Sequence, residues 1–288
     1  PSIETNLNTW NAEDWTRFGE GENWSGPWGN TDALWFGDLL FRLQSFLPTQ
    51  RILEIAPGHG RITRFLINYC EKLDVVDLSP NCIKYCQQRF ADRTNINYHV
   101  TDGKSLAMVE DGAFDLIFSY ASLVHVELDV IEAYLSQAAQ KLTPNGVVFF
   151  HHSNLHEYMR QGLGYMPNNV LRELRINPGG GRGTTVEAEH VRKIADQNGL
   201  SVVTQELMCF QARCFGAEIY NDCFSTLTKK GSKFEREPMI FHTEQMLTQR
   251  AAQQKALGRA YTKTSFPQLI QQPWEKEQEC QAEEYNSK

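Results

Sequence analysis

The sequence predicts an α/β protein in which helices cover both faces of a parallel sheet. The first observation is that short apolar segments alternate with helical segments from residue 51 onward. The second is a glycine turn, "APGHG", which directly follows the first apolar segment and precedes a helical one. Strand and helix alternation of this kind is typical of doubly wound sheets.

The N-terminal part precedes this alternation. Residues 1–30 are rich in Trp, Asn and Gly, and residues 31–47 have the spacing of an amphipathic helix, capped by Thr31 or Asp32 and ended by Pro48. Its predicted apolar stripe is formed by Phe36, Leu39, Leu40, Leu43 and Phe46. We therefore expect residues 1–48 to form an N-terminal helical cap or lid.

Five strands and three helices are predicted in the alternating region. The strands are "RILEIA", "LDVVDLS", "INYHV", "FDLIFSY" and "GVVFFHHS", and the helices are "GRITRFLINYC", "PNCIKYCQQRF" and "VELDVIEAYLSQAAQKL". Residues 154–186 interrupt the rhythm with an insertion that contains three consecutive glycines, and a helix ended by Gly199 follows. "SVVTQELMCF" and "YNDCFSTLTK" are then expected to pair as antiparallel strands. We assign the core to 49–230, and a C-terminal helix with a polar tail to 231–288.

Composition limits the classes of function. The 288 residues carry a net charge of −7 and no run of Lys and Arg, so a nucleic-acid partner is not expected. No apolar run approaches the ~20 residues of a membrane span, and the start of the sequence does not resemble a signal peptide. The seven Cys form no C-x-x-C pair, which favours a reducing, cytoplasmic location.

The glycine turn indicates a nucleotide-like cofactor, because glycines let the backbone approach a ligand closely. A dinucleotide site prefers G-x-G-x-x-G, but here the last position is occupied by the bulky Thr63. A nicotinamide oxidoreductase therefore fits the turn poorly.

A second class of cofactor fits better. "LEIAPGHG", "VVDLSP", "TDGKSL" and "FDLIFSYASLVHV" occur in this order, followed by "KLTPNGVVFF". Over residues 50–230 this pattern resembles the class I S-adenosylmethionine-dependent methyltransferases. The resemblance implies a Rossmann-like, seven-stranded sheet of order 3-2-1-4-5-7-6 with a reversed seventh strand, and S-adenosyl-L-methionine as the cofactor. Among members of this family it is most similar to bacterial O-methyltransferases of sugars, glycolipids or natural products.

The resemblance also implies roles for individual residues. Glu54 orders the glycine turn or pairs with the cofactor's ammonium, Asp77 holds the ribose hydroxyls, and Asp102 lies near the adenine. The full set of expected cofactor-binding residues is Glu54, Ala56, Gly58, Gly60, Asp77, Leu78, Asp102, Gly103 and Ser119. Asp77 also fits a charge at a helix N-terminus, and Asp102 also fits a turn before Gly103. Where Ala56 stands, many members of the family have Gly, and we expect Ala56 to be tolerated with a negative φ.

Three histidines are candidates for a general base. His125 follows the fourth strand, and His151 and His152 end the fifth, where the carboxyl ends of neighbouring strands meet. His151 and His152 must face opposite ways, so one of them at most is expected to face the acceptor. Each of the three also fits a structural role. No spacing enforces a metal site and none is assigned, although these histidines with Asp or Asn are an alternative site for Mg or a transition metal.

These observations predict O-methylation of a small hydroxyl-bearing acceptor, such as a sugar or secondary metabolite, with a histidine base. N-methylation is the main alternative, and a non-catalytic binding module is another. Arg182, in "GGGRGTT", is interpreted as solvated. Neither the oligomeric state nor the acceptor follows from the sequence.

Overall fold

The computed structural model describes residues 1–160, 181–208, 213–214, 217–218 and 220–243. The chain divides into two compact units, one of Pro1–Glu13 with Phe46–Gln245 and one of Asp14–Ser45 with Met246–Lys288. The part of the expected C-terminal helix and tail beyond residue 243, and residues 161–180 of the expected insertion, lie outside the described residues. The described residues 231–243 contain a strand and no helix. No described helix is long and apolar enough to cross a membrane.

The larger unit is built on one eight-stranded sheet of order 3-2-1-4-5-7-6-8. Its strands are β1 Thr49–Ile55, β2 Cys70–Asp77, β3 Ile96–Val100, β4 Phe114–Ser119, β5 Leu142–Ser153, β6 Leu200–Met208, β7 Asp222–Lys229 and β8 Met239–Thr243. Only β7 runs against its neighbours β5 and β6. The predicted order of seven strands and the reversed seventh are confirmed. The short edge strand β8, parallel to β6, was not predicted.

Helices flank this sheet, and two short helices lie in the described part of the smaller unit. The helices are α1 Ile3–Ala12, α2 Thr31–Leu34, α3 Leu40–Leu43, α4 Thr63–Leu66, α5 Pro80–Arg89, α6 Leu128–Lys141, α7 Leu155–Arg160 and α8 Ala188–Gln197. Short 3-10 turns occur at Trp15–Phe18, Glu22–Trp28 and Leu123–His125.

The helix predicted over residues 31–47 differs in detail. A π-helical turn, Trp35–Leu39, joins α2 to α3, and the N-cap is Asn30, whose Oδ1 accepts a hydrogen bond from Ala33 N at 2.8 Å. The wider turn rotates the buried face, so Trp35 is fully buried whereas Phe36 is 60% exposed. The predictions of Thr31 or Asp32 as the cap and of Phe36 in the apolar stripe are therefore wrong.

The main hydrophobic core lies on one face of the central strands. Leu53 of β1, Ile117 of β4 and Val148 of β5 pack there with residues of α6 and α8, and all three are fully buried. Because their neighbours on both sides are also buried, β1, β4 and β5 are rigid supports for whatever follows their carboxyl ends.

Candidate cofactor and acceptor site

The glycine turn follows β1 and has three residues in the left-handed region. Ala56 and Gly58 both have φ +58°, and Gly60 has φ +78°. The expectation that Ala56 keeps a negative φ is therefore wrong. Its Cβ strains this conformation by about 1 kcal/mol. Backbone outliers of this kind cluster at functional sites.

Asp77, at the end of β2, closes this turn. Its Oδ2 accepts a hydrogen bond from Gly58 N at 3.1 Å, and its Oδ1 accepts one from Ser79 N at 2.8 Å. The side chain of Ser79, not Asp77, caps α5 by accepting from Cys82 N at 3.2 Å. Burial raises the pKa of Asp77 to about 6. A buried carboxylate thus stands at the place where the cofactor's ribose is expected.

Glu54 is a second buried acid beneath the turn. Its Oε2 accepts a hydrogen bond from Thr63 Oγ1 at 2.6 Å. Burial, with a smaller contribution from the nearby Asp77, raises the pKa of Glu54 to about 8. A cationic group placed beside these two acids would stabilise both carboxylates.

The loop after β3 contains the next two candidates. Asp102 is exposed, and its Oδ1 accepts hydrogen bonds from Lys104 N at 2.9 Å and Ser105 N at 2.7 Å. These bonds lower the pKa of Asp102. Asp102 therefore shapes its own turn, and Gly103 follows it with φ +92°.

Two hydroxyl groups hold the glycine turn from the β4 side. Ser119 Oγ donates to Ile55 O at 3.0 Å, and Ser122 Oγ donates to Ala56 O at 2.9 Å. Leu78 is half-buried beyond β2. The expected cofactor residues thus lie at the carboxyl ends of β1, β2, β3 and β4, which is where ligands bind in open α/β sheets.

Helix α1 lies across these carboxyl ends. Asn6 Nδ2 donates to His125 O at 2.7 Å, and Ser79 Oγ donates to Asn11 Oδ1 at 2.5 Å. Ile3 lies against the loop that follows β3. One short helix therefore contacts the loops after β2, β3 and β4 and covers the cleft between them.

His151 lies on the β4 side of β5 within a polar cluster. Its side chain is 5% exposed, its Nδ1 accepts from Ala121 N at 3.2 Å, and its Nε2 lies 3.3 Å from Asp222 Oδ2. Arg182 pairs with both oxygens of Asp222, at 2.6 and 2.7 Å. Although burial alone would raise the pKa of Asp222, Arg182 holds it well below its usual range. The interpretation of Arg182 as solvated is wrong.

His125 lies against the same segment of chain. Its Nδ1 donates to Gly181 O at 2.8 Å, which leaves the lone pair on Nε2. Burial lowers the pKa of His125 to about 4, and its ring packs against Trp10 of α1 with centroids 5.2 Å apart. His125 is therefore a neutral imidazole with a fixed tautomer, beside the helix that covers the cleft.

His152 faces away from this cluster. It is fully buried, its Nδ1 donates to Ser153 O at 2.8 Å, and its Nε2 lies 2.8 Å from Ser225 Oγ. Burial lowers the pKa of His152 to about 4. The structure thus brings His125 and His151 together and separates His152 from them.

Sequence reasoning missed the ion pair between Arg182 and Asp222. Asp222 is the first residue of β7 and pairs with Ser153, the last residue of β5. The reversed direction expected for the seventh strand was the signal, because it places the start of β7 beside the end of β5.

Comparison with known proteins agrees with this geometry. Residues 52–146, which include the glycine turn and Asp77, match the family model described as "Methyltransferase domain". This part of the chain is therefore similar to the domains of that family. The S-adenosylmethionine cofactor expected from the sequence agrees with this match.

Curated relatives are similar over parts of their length. Nodulation protein S of Sinorhizobium fredii is 29% identical over 104 residues, which are 36% of this chain and 47% of that protein. Ribosomal RNA small subunit methyltransferase A of Pseudomonas syringae pv. tomato is 38% identical over 65 residues, which are 23% of this chain and 24% of that protein. The chain thus spans about a quarter to about half of the length of these relatives.

Solved structures share the fold. The N-methyltransferase NodS of Bradyrhizobium japonicum, in complex with S-adenosyl-L-homocysteine, is 21% identical with a TM-score of 0.51 over 80% of this chain and 99% of that chain. A SAM-dependent methyltransferase of Leishmania major is 14% identical with a TM-score of 0.53 over 78% of this chain and 82% of that chain. At these identities the likeness shows the class I methyltransferase fold alone.

Proposed function

We propose that this chain is an S-adenosylmethionine-dependent methyltransferase. The observation that carries the proposal is the glycine turn after β1, which Asp77 closes within the methyltransferase domain. When bound, S-adenosylmethionine supplies an electrophilic methyl group. Asp77 would accept hydrogen bonds from its ribose hydroxyls. The buried Glu54 would either pair with its ammonium or order the glycine turn.

Titration calorimetry with S-adenosylmethionine, S-adenosylhomocysteine and NADH tests this proposal. We expect micromolar binding of the first two ligands, no binding of the third, and at least a tenfold loss of affinity in Asp77→Asn. Asp92→Asn, on an exposed residue, is the matched control and should bind normally. Binding of NADH instead would indicate an oxidoreductase, and binding of none by folded protein would indicate a non-catalytic module.

For the acceptor we propose a hydroxyl group on a small molecule, with His125 as the general base. Its Nδ1–H is held by Gly181 O, so Nε2 is the atom that can receive a proton. His151 is less suited to this role, because Ala121 N occupies its Nδ1 and Asp222 faces its Nε2. We propose that His151 instead positions the loop after β4 through its bond to Ala121.

The lowered pKa of His125 favours an acidic hydroxyl. Proton transfer from a phenol of pKa about 10 to an imidazole of pKa about 4 is uphill by ~8 kcal/mol, at ~1.4 kcal/mol per pKa unit. An aliphatic sugar hydroxyl is less acidic, so the transfer would be more costly. We therefore place phenolic or enolic secondary metabolites ahead of sugars and glycolipids as acceptors.

N-methylation is the second candidate, favoured by the partial similarity to nodulation protein S and by the fold shared with the N-methyltransferase NodS. The pH dependence separates the two reactions. With a base of pKa about 4, the rate on a hydroxyl stays level between about pH 5 and about pH 8, because His125 is already neutral. The rate on an amine instead rises with pH through the pKa of the amine.

A screen of hydroxylated aromatic compounds and amines, followed by variants, completes the test. For a hydroxyl acceptor, His125→Asn should lower kcat by about 10²–10⁴-fold while the affinity for S-adenosylhomocysteine stays unchanged. His242→Asn, on an exposed residue, is the control. If His125→Asn leaves kcat unchanged on the best acceptor, His125 is not the base.

A further inference from the structure

Two histidines and a glutamate surround one point outside the site described above. His156 belongs to α7, Glu187 directly precedes α8, and His190 lies in its first turn. One ligand atom from each residue, an imidazole nitrogen or a carboxylate oxygen, lies within 4.8 Å of the others. Nothing in the proposed methyl transfer uses these three side chains.

Both imidazole rings have a tautomer fixed by a backbone carbonyl. His156 Nδ1 donates to Thr184 O at 3.1 Å, and His190 Nδ1 donates to Thr185 O at 3.2 Å. A carbonyl oxygen can only accept, so each Nδ1 keeps its proton and each neutral ring presents a lone pair on Nε2. Histidines that bind metals are held by the same arrangement.

The distance between two of the ligand atoms fits a metal ion. His190 Nε2 lies 3.3 Å from Glu187 Oε1. Two ligands bonded to tetrahedral zinc at ~2.0–2.1 Å lie ~3.3 Å apart, so the observed spacing already suits such an ion.

Backbone contacts fix the elements that carry the ligands. His156 N donates to Val186 O at 3.0 Å, and Ala188 N donates to Asn154 Oδ1 at 2.7 Å. The start of α7 is thereby tied to the start of α8. Glu187 also lines a cavity of about 290 Å³. Little rearrangement is therefore needed to bring the three ligand atoms onto one ion.

We propose that His156, Glu187 and His190 bind a divalent transition metal ion, with zinc as the ion that fits best. Two imidazole nitrogens select zinc and its neighbours over magnesium and calcium, which prefer oxygen ligands. Three protein ligands leave one coordination position for water or a small molecule. This inference does not depend on the proposed methyltransferase activity.

Cobalt(II) titration of the full chain, freed of metal by chelator and dialysis, tests the proposal because cobalt replaces zinc and absorbs visible light. We expect one equivalent of Co²⁺ to produce visible d–d bands and one equivalent of Zn²⁺ to abolish them. His156→Ala and His190→Ala should each weaken binding at least about tenfold. His242→Ala, on an exposed histidine, should bind as the unaltered protein does.

Three results would overturn the assignment. They are the absence of d–d bands in folded protein, equal binding in His190→Ala and the unaltered chain, and a strong near-ultraviolet thiolate-to-cobalt band, which would place the ion on cysteine. Circular dichroism checks the folding of each variant. The His190 side chain is 28% exposed, so His190→Ala is expected to fold and decides the question if His156→Ala does not.

Discussion

Glu54 is buried, and the nearby Arg61 offsets only part of the cost of its charge. Glu54→Gln should therefore stabilise the cofactor-free protein at high pH. Burial raises the pKa of Glu54 from an ordinary 4.5 to about 8. At ~1.36 kcal/mol per pKa unit, burying the carboxylate instead of the neutral acid costs about 5 kcal/mol as an upper bound. The amide of Gln keeps an acceptor for Thr63 and carries no charge.

The direction of this pH dependence follows from the linkage between protonation of Glu54 and folding. The pKa is higher in the folded than in the unfolded chain, so the stability contributed by the protonated acid is complete below the unfolded pKa and is lost as pH rises through the folded pKa. Between about pH 5 and about pH 9 the unaltered protein should lose about 4 kcal/mol through Glu54. Glu54→Gln should not show this loss.

Urea unfolding at both pH values measures the effect in cofactor-free protein. Glu71→Gln, which alters an exposed residue, is the control and should follow the unaltered protein. Equal pH dependence in Glu54→Gln and the unaltered protein would refute the reasoning, because it would mean that the carboxylate of Glu54 is not destabilised by burial.

The raised pKa of Glu54 also predicts that ligand binding releases a proton. With a pKa of about 8, Glu54 is ~90% protonated at about pH 7 in the free protein. An ammonium group placed beside it favours the carboxylate, so binding of S-adenosylhomocysteine should release up to about 0.9 proton. Calorimetry in two buffers of different ionisation enthalpy measures this release, which should vanish in Glu54→Gln. Undiminished release in that variant would exclude Glu54 as its source.

Three further single substitutions and one double variant test the site. Ala56→Gly should raise the free energy of unfolding by about 1 kcal/mol in urea, because it removes a Cβ from a residue with φ +58°. Gly60→Ala should lower it by about 2 kcal/mol and weaken binding of S-adenosylhomocysteine, because the added Cβ would lie 2.6 Å from Phe90 Cε2. Arg182→Met should cost about 3–5 kcal/mol by leaving the Asp222 carboxylate buried without its cation. Adding Asp222→Asn should recover most of that loss, and a double variant no more stable than Arg182→Met would contradict the ion-pair argument.

The features predicted correctly depend on local patterns. The order of β1 to β7 followed from apolar segments, the helices between them and a family resemblance over residues 50–230. The glycine turn and Asp77 lie in short motifs whose residues are neighbours along the chain or at the ends of adjacent strands. Such patterns are readable because strand burial and turn geometry are set within a few residues.

The features that were missed depend on tertiary contacts or on small backbone changes. Arg182 and Asp222 are 40 residues apart, and neither has a local reason to be buried. Ala56 has a positive φ, and residues Trp35–Leu39 form a π-helical turn. The residue types at these positions also suit ordinary turns and helices, so neither feature is evident from the sequence. β8 is a short edge strand with exposed Met239, Ile240 and Phe241. Its apolar run is too short to distinguish a strand from a loop in the sequence.

The segment from Gly181 to Val186 is fixed by His125, Asp222 and the backbone of His156, close to the point where α7 begins. The start of α7 and the segment from Gly181 to Val186 are thereby held next to each other. Each doubling of the length between such anchors costs only about 0.6 kcal/mol. Changing the number of residues between these two anchors should therefore cost little stability and leave the contacts of His125 and Asp222 in place.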